Sequence, residues 1–330
     1  METPNQMPNN LFTDAGDRQF LRSPRVVIGV LIVLAVSLAI VLSALANRRI
    51  EVPGSAHLAA GAVSFEAFEN LALAAKGAFI FDTTNGKTLF EKNPDVQLPL
   101  ASLAKVPLAL VVSDVLPLDS RITLSRDIPQ IGKFETLPSG VPWPLHEVID
   151  FTLITSSNDG AEILGEVANE AVRQKFTAAP AAHATLWRMN DLARELGLTQ
   201  TYFLNMSGLD VSTTLSGAYG SARDVATLFA YANATNSSLF SGTARGNVLL
   251  TSEYGAQTTA YNTNEAEAEI SGLILGKTGF TDLAGGNLAV VFDVGIAHPV
   301  VAVILGSTRE GRFEDMRKLV EAARSAIAAQ

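Results

Sequence analysis

From Val26 to Ala46 the chain runs for 21 residues, "VVIGVLIVLAVSLAIVLSALA", without a charge. At about 1.5 Å of rise per residue such a helix would reach roughly 30 Å, the thickness of a bilayer core. A core helix of a water-soluble domain would show a polar face, and this run has none. The expectation is a transmembrane helix. Ala44-Leu45-Ala46 resembles a small-residue cleavage site, so a long signal peptide cut after Ala46 is the rival reading. The run exceeds the about 7–15 apolar residues of a cleaved signal, which favours an uncleaved anchor. Residues 1–25 are polar with few apolar clusters and read as a disordered tail. Arg18, Arg22 and Arg25 precede the run and Arg48 and Arg49 follow it, a small bias toward an inside N-terminus.

Residues 1–46 hold three basic and three acidic side chains, so the net charge of −9 falls on residues 47–330. That balance excludes a nucleic-acid binder, which needs a basic face. No cysteine is present, so there is no disulfide, no thiolate nucleophile, no thiolate zinc site and no thiol for a lipid. His57, His146, His183 and His298 are scattered and form no metal-ligand motif; neither a metal nor another cofactor is expected.

Residues 47–62, with Pro53, Gly54 and Gly61, read as a linker, and residues 63–330 as one domain. "FEAFENLALAA" spaces Phe65, Phe68 and Ala72 helically. "GAFIFDTTNGKTLFEKN" places Asn85-Gly86 between two apolar runs, a strong hairpin signal. "LPLASLAKVPLALVVS" reads as an apolar helix. Pro107 is tolerable only near its first turn, so the helix should begin close to Ser102. Next comes a helix, a break at Ser156–Asp159, and another helix. Two more helices follow, one closed by Gly197 and one capped by Ser221 with Asp224 three residues on. "ISGLILGKTGFT", "GNLAVVFDVG" and "HPVVAVILGST" read as three strands, the first interrupted by Lys277-Thr278-Gly279. An amphipathic helix ends the chain, with Phe313, Met316, Val320 and Ile327 on one face. The fold class is α+β: an antiparallel sheet built from both chain ends, flanked by a helical block.

Ser102 and Lys105 share a helix face at i, i+3, so a hydroxyl and an amine can meet. Taken alone, Ser102 is a helix cap, Lys105 a lysine that snorkels to water, "SSND" a turn and "GKTG" a loop. "GKTG" lacks the spacing of a phosphate-binding loop. Trp143 reads as a packing residue. In order, however, the chain carries Ser102-x-x-Lys105, Ser156-x-Asn158 and Lys277-Thr278-Gly279. That set resembles the signature of serine penicillin-binding proteins and serine β-lactamases. The flanks, from about residue 75 to 325, resemble the D-alanyl-D-alanine carboxypeptidase family. They include "LHEVIDFTLITSSNDGAEILGEVA", "MNDLARELGLTQTYFLNMSGLD" and "VVAVILGSTREGRFEDMRKLVE".

The resemblance implies a penicillin-binding/β-lactamase-like fold and a role for each motif residue. Ser102 would attack a carbonyl after losing its proton to Lys105. A lysine with a pKa of about 10.4 is neutral only a few times in ten thousand at pH 7, so Lys105 needs burial or a nearby cation such as Lys277. Ser156 would bridge the two lysines and pass a proton to the leaving amine. Asn158 would hold the substrate amide and Lys105. Lys277 and Thr278 would grip the substrate carboxylate, and Gly279 would leave room for substrate to add as a β-strand. The N–H groups of Ser102 and Phe280 would form an oxyanion hole. Implied partners are peptidoglycan peptides ending in D-Ala-D-Ala, β-lactam inhibitors and the cytoplasmic membrane. The expected location is the cell membrane, single-pass, with the catalytic domain outside. Cross-link endopeptidase activity uses the same site. A class A-like β-lactamase would need an E-x-x-L-N run, and "ELGLT" at Glu195 lacks its asparagine. A penicillin sensor without turnover is the third alternative. Many family members carry a further β-rich domain and a C-terminal membrane helix. Here the last helix is expected to belong to the catalytic fold, with the tether at the N-terminus.

Overall fold

Asp82 and Gly86 set the first turn of the sheet. β1 (Gly77–Asp82) and β2 (Lys87–Lys92) pair antiparallel around it. Asp82 Oδ1 accepts from the N–H of Thr84 at 2.9 Å, and Gly86 takes φ 70°, so Asn85-Gly86 forms the expected hairpin. This computed structural model describes residues 66–329 apart from Asn70, Ile131, Gly132 and Phe134. The tail at 1–25, the apolar run at 26–46, the linker at 47–62 and Phe65 lie outside the described residues. Among the described residues no helix is long and apolar enough to cross a membrane.

The other three strands are β3 (Leu273–Thr281), β4 (Gly285–Asp293) and β5 (Pro299–Ser307). The sheet order is β3-β4-β5-β1-β2, antiparallel throughout, so the two chain ends meet at β5 and β1. Lys277-Thr278-Gly279 does not interrupt β3: the three pair in register with Ala289, Leu288 and Asn287. The irregularity lies earlier, between Leu273 and Leu275. Polar residues are tolerated there because β3 is an edge strand whose outer side faces the helical block rather than another strand.

Both sheet faces are covered, which explains why β4 and β5 read as unbroken apolar runs. Phe79, Ala289, Val291, Val301 and Val303 pack toward the helical block. Ile80, Val290, Ala302 and Ile304 pack against the last helix, α6 (Gly311–Ala328), through Phe313, Met316, Leu319 and Val320. The amphipathic reading of α6 is therefore correct. The helix expected around Phe68 shrinks to one 3-10 turn, Glu66–Phe68. Beyond it the N–H groups of Ala74 and Ala75 go to the Asp315 carboxylate at 3.1 and 2.9 Å, which holds the chain extended.

The helical block comprises α1 (Lys105–Val115), α2 (Leu145–Ile154), α3 (Asn158–Lys175), α4 (Ala184–Glu195) and α5 (Ala222–Asn236). α1 lies at its centre, buried from Lys105 to Val112. It starts three residues later than Ser102, which sits instead on a 3-10 turn, Ala101–Ala104. Pro107 then falls in the first turn, where its missing N–H had no helical partner to lose. Gly197 closes α4 at φ 70°, and Ser221 caps α5 by accepting from Asp224 N at 3.1 Å. Trp143 is fully buried, its indole N–H on Pro138 O at 2.9 Å, and serves packing.

Candidate active site

Ser102 is held in place from both sides. Upstream, Leu98–Pro99 pairs with Ala218–Gly220, and Leu100 N donates to Ala218 O at 2.9 Å. Downstream, α1 begins. The junction forces Ala101 into left-handed backbone at φ 49°, a conformation an alanine adopts only when its surroundings impose it.

Lys105, the first residue of α1, is fully buried. Its Nζ lies 2.8 Å from each of Ser102 Oγ, Asn158 Oδ1 and the main-chain oxygen of Ser207. Two of these three, the amide and main-chain oxygens, can only accept. A neutral amine has two N–H bonds and one lone pair. With the N–H bonds on Asn158 and Ser207, the lone pair faces the Ser102 hydroxyl, the only partner of the three with a proton to give. Burial pushes Lys105 down to about 7, against the Glu162 carboxylate, which pulls it up.

The break between α2 and α3 supplies the second motif. Ser157 caps α3 by accepting from Gly160 N at 3.1 Å, Asn158 opens the helix, and Ser156 is turned into left-handed backbone at φ 61°. Lys277 Nζ donates to Ser156 Oγ and to Thr278 O, each at 2.8 Å. Among the described residues no hydrogen bond joins Ser156 to Lys105, so Ser156 is hydrogen-bonded to one of the two lysines and not both. Burial, then the charges of Lys105 and Arg312, push Lys277 well below the usual lysine range. The expectation that Lys277 depresses Lys105 is thus met by burial instead, with the mutual repulsion falling on Lys277.

Gly279 is where β3 comes closest to Ser102. A methyl group on it would stand 2.8 Å from Leu100 O, 3.2 Å from Ala101 Cβ and 3.3 Å from Ser102 N. Thr278 Oγ1 is 2.6 Å from Thr263 Oγ1. Phe280 continues the strand opposite Gly286, with the Arg309 guanidinium 4.0 Å above its ring. The structure therefore brings Ser102, Lys105 and Asn158 together, sets Lys277 on Ser156, and brings Gly279 beside the Ser102 turn, with Thr278 and Phe280 its neighbours along β3.

Three participants escaped sequence reading. The Ser207 carbonyl carries no side-chain signature. Its turn is clamped: Gly208, at φ 76°, packs where a Cβ would fall 1.8 Å from Ala101 O, and Met206 Sδ fills the space where a Cβ on Gly165 would sit. Asn205 and Gly208 in "LNMSGLD" are turn residues that could have marked that bend, and Asn205 Oδ1 does accept from Gly208 N at 2.7 Å. Arg312, near the start of α6, donates to Gly279 O at 2.8 Å while its buried Nε has no hydrogen-bond partner among the described residues. Burial lowers Arg312 to about 10. Glu162 acts on Lys105 through its charge, without a hydrogen bond to it among the described residues.

A family model described as D-alanyl-D-alanine carboxypeptidase matches residues 65–309. The chain belongs to this family. Its members are serine-type hydrolases, and this chain has the α+β fold, with an antiparallel sheet, of penicillin-binding proteins. It is 29% identical over 233 residues to the D-alanyl-D-alanine carboxypeptidase DacB2 of Mycobacterium tuberculosis, covering 70% of this chain and 75% of that protein. It is 26% identical over 257 residues to DacF of Bacillus subtilis, covering 76% of this chain and 62% of that protein. Among solved structures, penicillin-binding protein D2 of Listeria monocytogenes in its cefotaxime-bound form superposes with a TM-score of 0.61 at 29% identity, over 77% of this chain and 98% of that one.

Proposed function

We propose that this family chain removes the terminal D-alanine from peptidoglycan stem peptides through an acyl-enzyme on Ser102. The observation that carries the assignment of roles is the Lys105 amine, buried, lowered to about 7 and 2.8 Å from Ser102 Oγ. At neutral pH a large fraction of that amine is unprotonated and can serve as base.

The substrate lies along the free edge of β3, its carboxylate on Lys277 and Thr278, with Arg312 behind the strand. Arrival of that carboxylate raises Lys277 back toward its charged form. Ser102 Oγ attacks the carbonyl carbon of the penultimate residue as its proton passes to Lys105. The oxyanion is received by the N–H groups of Ser102 and Phe280. The C–N bond then breaks, Ser156 gives its proton to the departing nitrogen, and Lys277, its hydrogen-bond donor, reprotonates Ser156. Lys105 then loses its extra proton to solvent and Lys277 regains one from solvent. Neutral Lys105 takes a proton from water as the oxygen adds to the ester carbon, and returns it to Ser102 Oγ as the Oγ–C bond breaks. Asn158 holds both Lys105 and the peptide amide. β-Lactams mimic the D-Ala-D-Ala end and would stop at the ester stage.

The test uses labelled penicillin and a pentapeptide ending in D-Ala-D-Ala. Label on Ser102, lost in Ser102→Ala, together with released D-alanine is the expected result. Label on another serine overturns the nucleophile. Label without turnover makes the chain a penicillin sensor, and faster cleavage of a cross-linked dimer than of the pentapeptide makes it an endopeptidase. We also propose that Val26–Ala46 anchors the chain, with residues 47–330 outside the membrane where peptidoglycan lies; its 21 uncharged residues support this. N-terminal sequencing of the mature protein decides it: a start at Asn47 means a cleaved signal.

A further inference from the structure

Asn205 to Leu209 are tied into a small rigid body. Asn205 Oδ1 accepts from Gly208 N at 2.7 Å and from Ser207 Oγ at 3.3 Å, and Asn205 Nδ2 donates to Leu209 O at 2.8 Å. The turn is wedged between two stretches of backbone that leave it no slack. On one side Gly208 lies so near Ala101 O that a Cβ could not fit. On the other, the Met206 thioether lies across Gly165 of α3, with Sδ, Cε and Cγ all within 3.2 Å of where a Cβ would stand. Between these contacts the turn presents Ser207 O to Lys105 Nζ at 2.8 Å. The place of that oxygen therefore depends on the seating of one sulfur.

That sulfur is also within reach of solvent. Met189 and Met316 are fully buried, whereas Met206 is partly exposed and lines a cavity of about 580 Å³. Leu204 and Leu209, on the same lining, are 40% and 48% exposed, so the cavity opens to water. A water molecule takes up about 30 Å³, and a small peroxide is little larger, so either can enter.

We infer that Met206 is an oxidation site, and that its sulfoxide withdraws the Ser207 oxygen from Lys105. The consequence for Ser102 rests on the acyl-enzyme reading proposed above. The oxidant is a small hydroperoxide, hydrogen peroxide in the simplest case. A lone pair of Sδ bonds to one peroxide oxygen as the O–O bond breaks. The hydroxide released takes the proton left on the transferred oxygen and departs as water, so an electron pair passes from sulfur to the peroxide. The new oxygen enters from the cavity side, among the apolar side chains of Leu186, Leu204 and Leu209, which offer it no donor. A polar oxygen buried without a partner is unfavourable, so the side chain turns to put it in water and the sulfur leaves Gly165. The turn moves with it as one body. Lys105 then loses one of the two acceptors that hold its N–H bonds, and its lone pair is no longer fixed on Ser102 Oγ. Loss of one such hydrogen bond corresponds to acylation slower by about tenfold. Enzymatic reduction of the sulfoxide reverses the change.

The experiment treats the detergent-solubilised full chain with hydrogen peroxide, removes the oxidant and divides the sample. One part goes to peptide mass mapping of every methionine, Met1 and Met7 included. The other gives the rate of penicillin acylation, relative to the same chain untreated. Met206 should gain one oxygen before Met189 and Met316 do. Acylation should fall by about tenfold in step with that gain, and methionine sulfoxide reductase should restore it. Met206→Leu should keep its own untreated rate after peroxide. Met206→Gln, polar from the start, should acylate slowly with no oxidant at all. A Met206 that stays reduced while Met189 or Met316 oxidises overturns the inference, and so does an undiminished rate in chain oxidised at Met206. Loss of rate to peroxide in Met206→Leu, as in the parent, overturns it too. An untreated chain that takes no label defeats the proposed function, while the oxygen map still decides whether Met206 is the modification site.

Discussion

Lys105 and Lys277 are both buried amines 2.8 Å from a serine hydroxyl, yet a substitution should affect them differently. Lys105 must be neutral to accept a proton, and arginine stays charged at any usable pH. Lys105→Arg should therefore stop penicillin acylation, whereas Lys277→Arg keeps a cation for the substrate carboxylate and should retain part of it. Equal acylation rates in the two variants would refute this division of labour. The same amine sets the pH profile. Because the unprotonated form is active, acylation should rise with pH and level off above about 7. Glu162 pulls Lys105 upward, so Glu162→Gln should move the inflection to lower pH. Stopped-flow acylation across the pH range reads both effects, and an unmoved inflection in Glu162→Gln would remove Glu162 from the account.

At the scale of elements, β3 and the Ser102 turn touch with no side chain between them. Gly279→Ala would place a methyl 2.8 Å from Leu100 O and push the strand from the Ser102 N–H. Loss of one oxyanion donor lowers rates by about 10²–10³, so acylation by penicillin should fall into that range while the melting temperature moves little. A wild-type rate in Gly279→Ala would show that the approach is looser than the packing implies. The elements themselves were largely legible: the Asn85-Gly86 hairpin, the break at Ser156–Asp159, the Ser221 cap and the apolar face of α6 each rest on local chemistry. The three motifs marked Ser102, Lys105, Asn158, Ser156, Lys277 and Gly279, which the fold brings close, because the expected chemistry fixes the residue types. What escaped was tertiary. The Ser207 oxygen is main chain, Arg312 reaches Gly279 only because α6 packs behind the sheet, and the short turn at Glu66–Phe68 reflects Asp315 claiming the backbone downstream. The interruption expected in β3 failed because polarity was read as a break, when it marks an edge strand paired on one side only.

Across the whole molecule, Asp315 joins the ends of the domain. Its carboxylate accepts from Ala74 N at 3.1 Å, Ala75 N at 2.9 Å and Ser307 Oγ at 2.8 Å, and it is 1% exposed. Asp315→Ala strands buried donors and should destabilise the domain by about 2–4 kcal/mol. Penicillin labelling below the transition should survive, because the cleft lies elsewhere; denaturant unfolding beside labelling tests this, and unchanged stability would contradict it. The free edge of β3 has a wider consequence. A strand edge offers only main-chain hydrogen bonds, and every extended peptide presents the same ones. The edge therefore measures where a chain lies, not what it is. In the function proposed above, Lys277 would act as a stop at one end of that ruler, so a peptide would be placed by its free carboxylate before any side chain is read. An enzyme working this way would count from the end of its substrate, and a longer or capped peptide would fail by position, whatever its sequence.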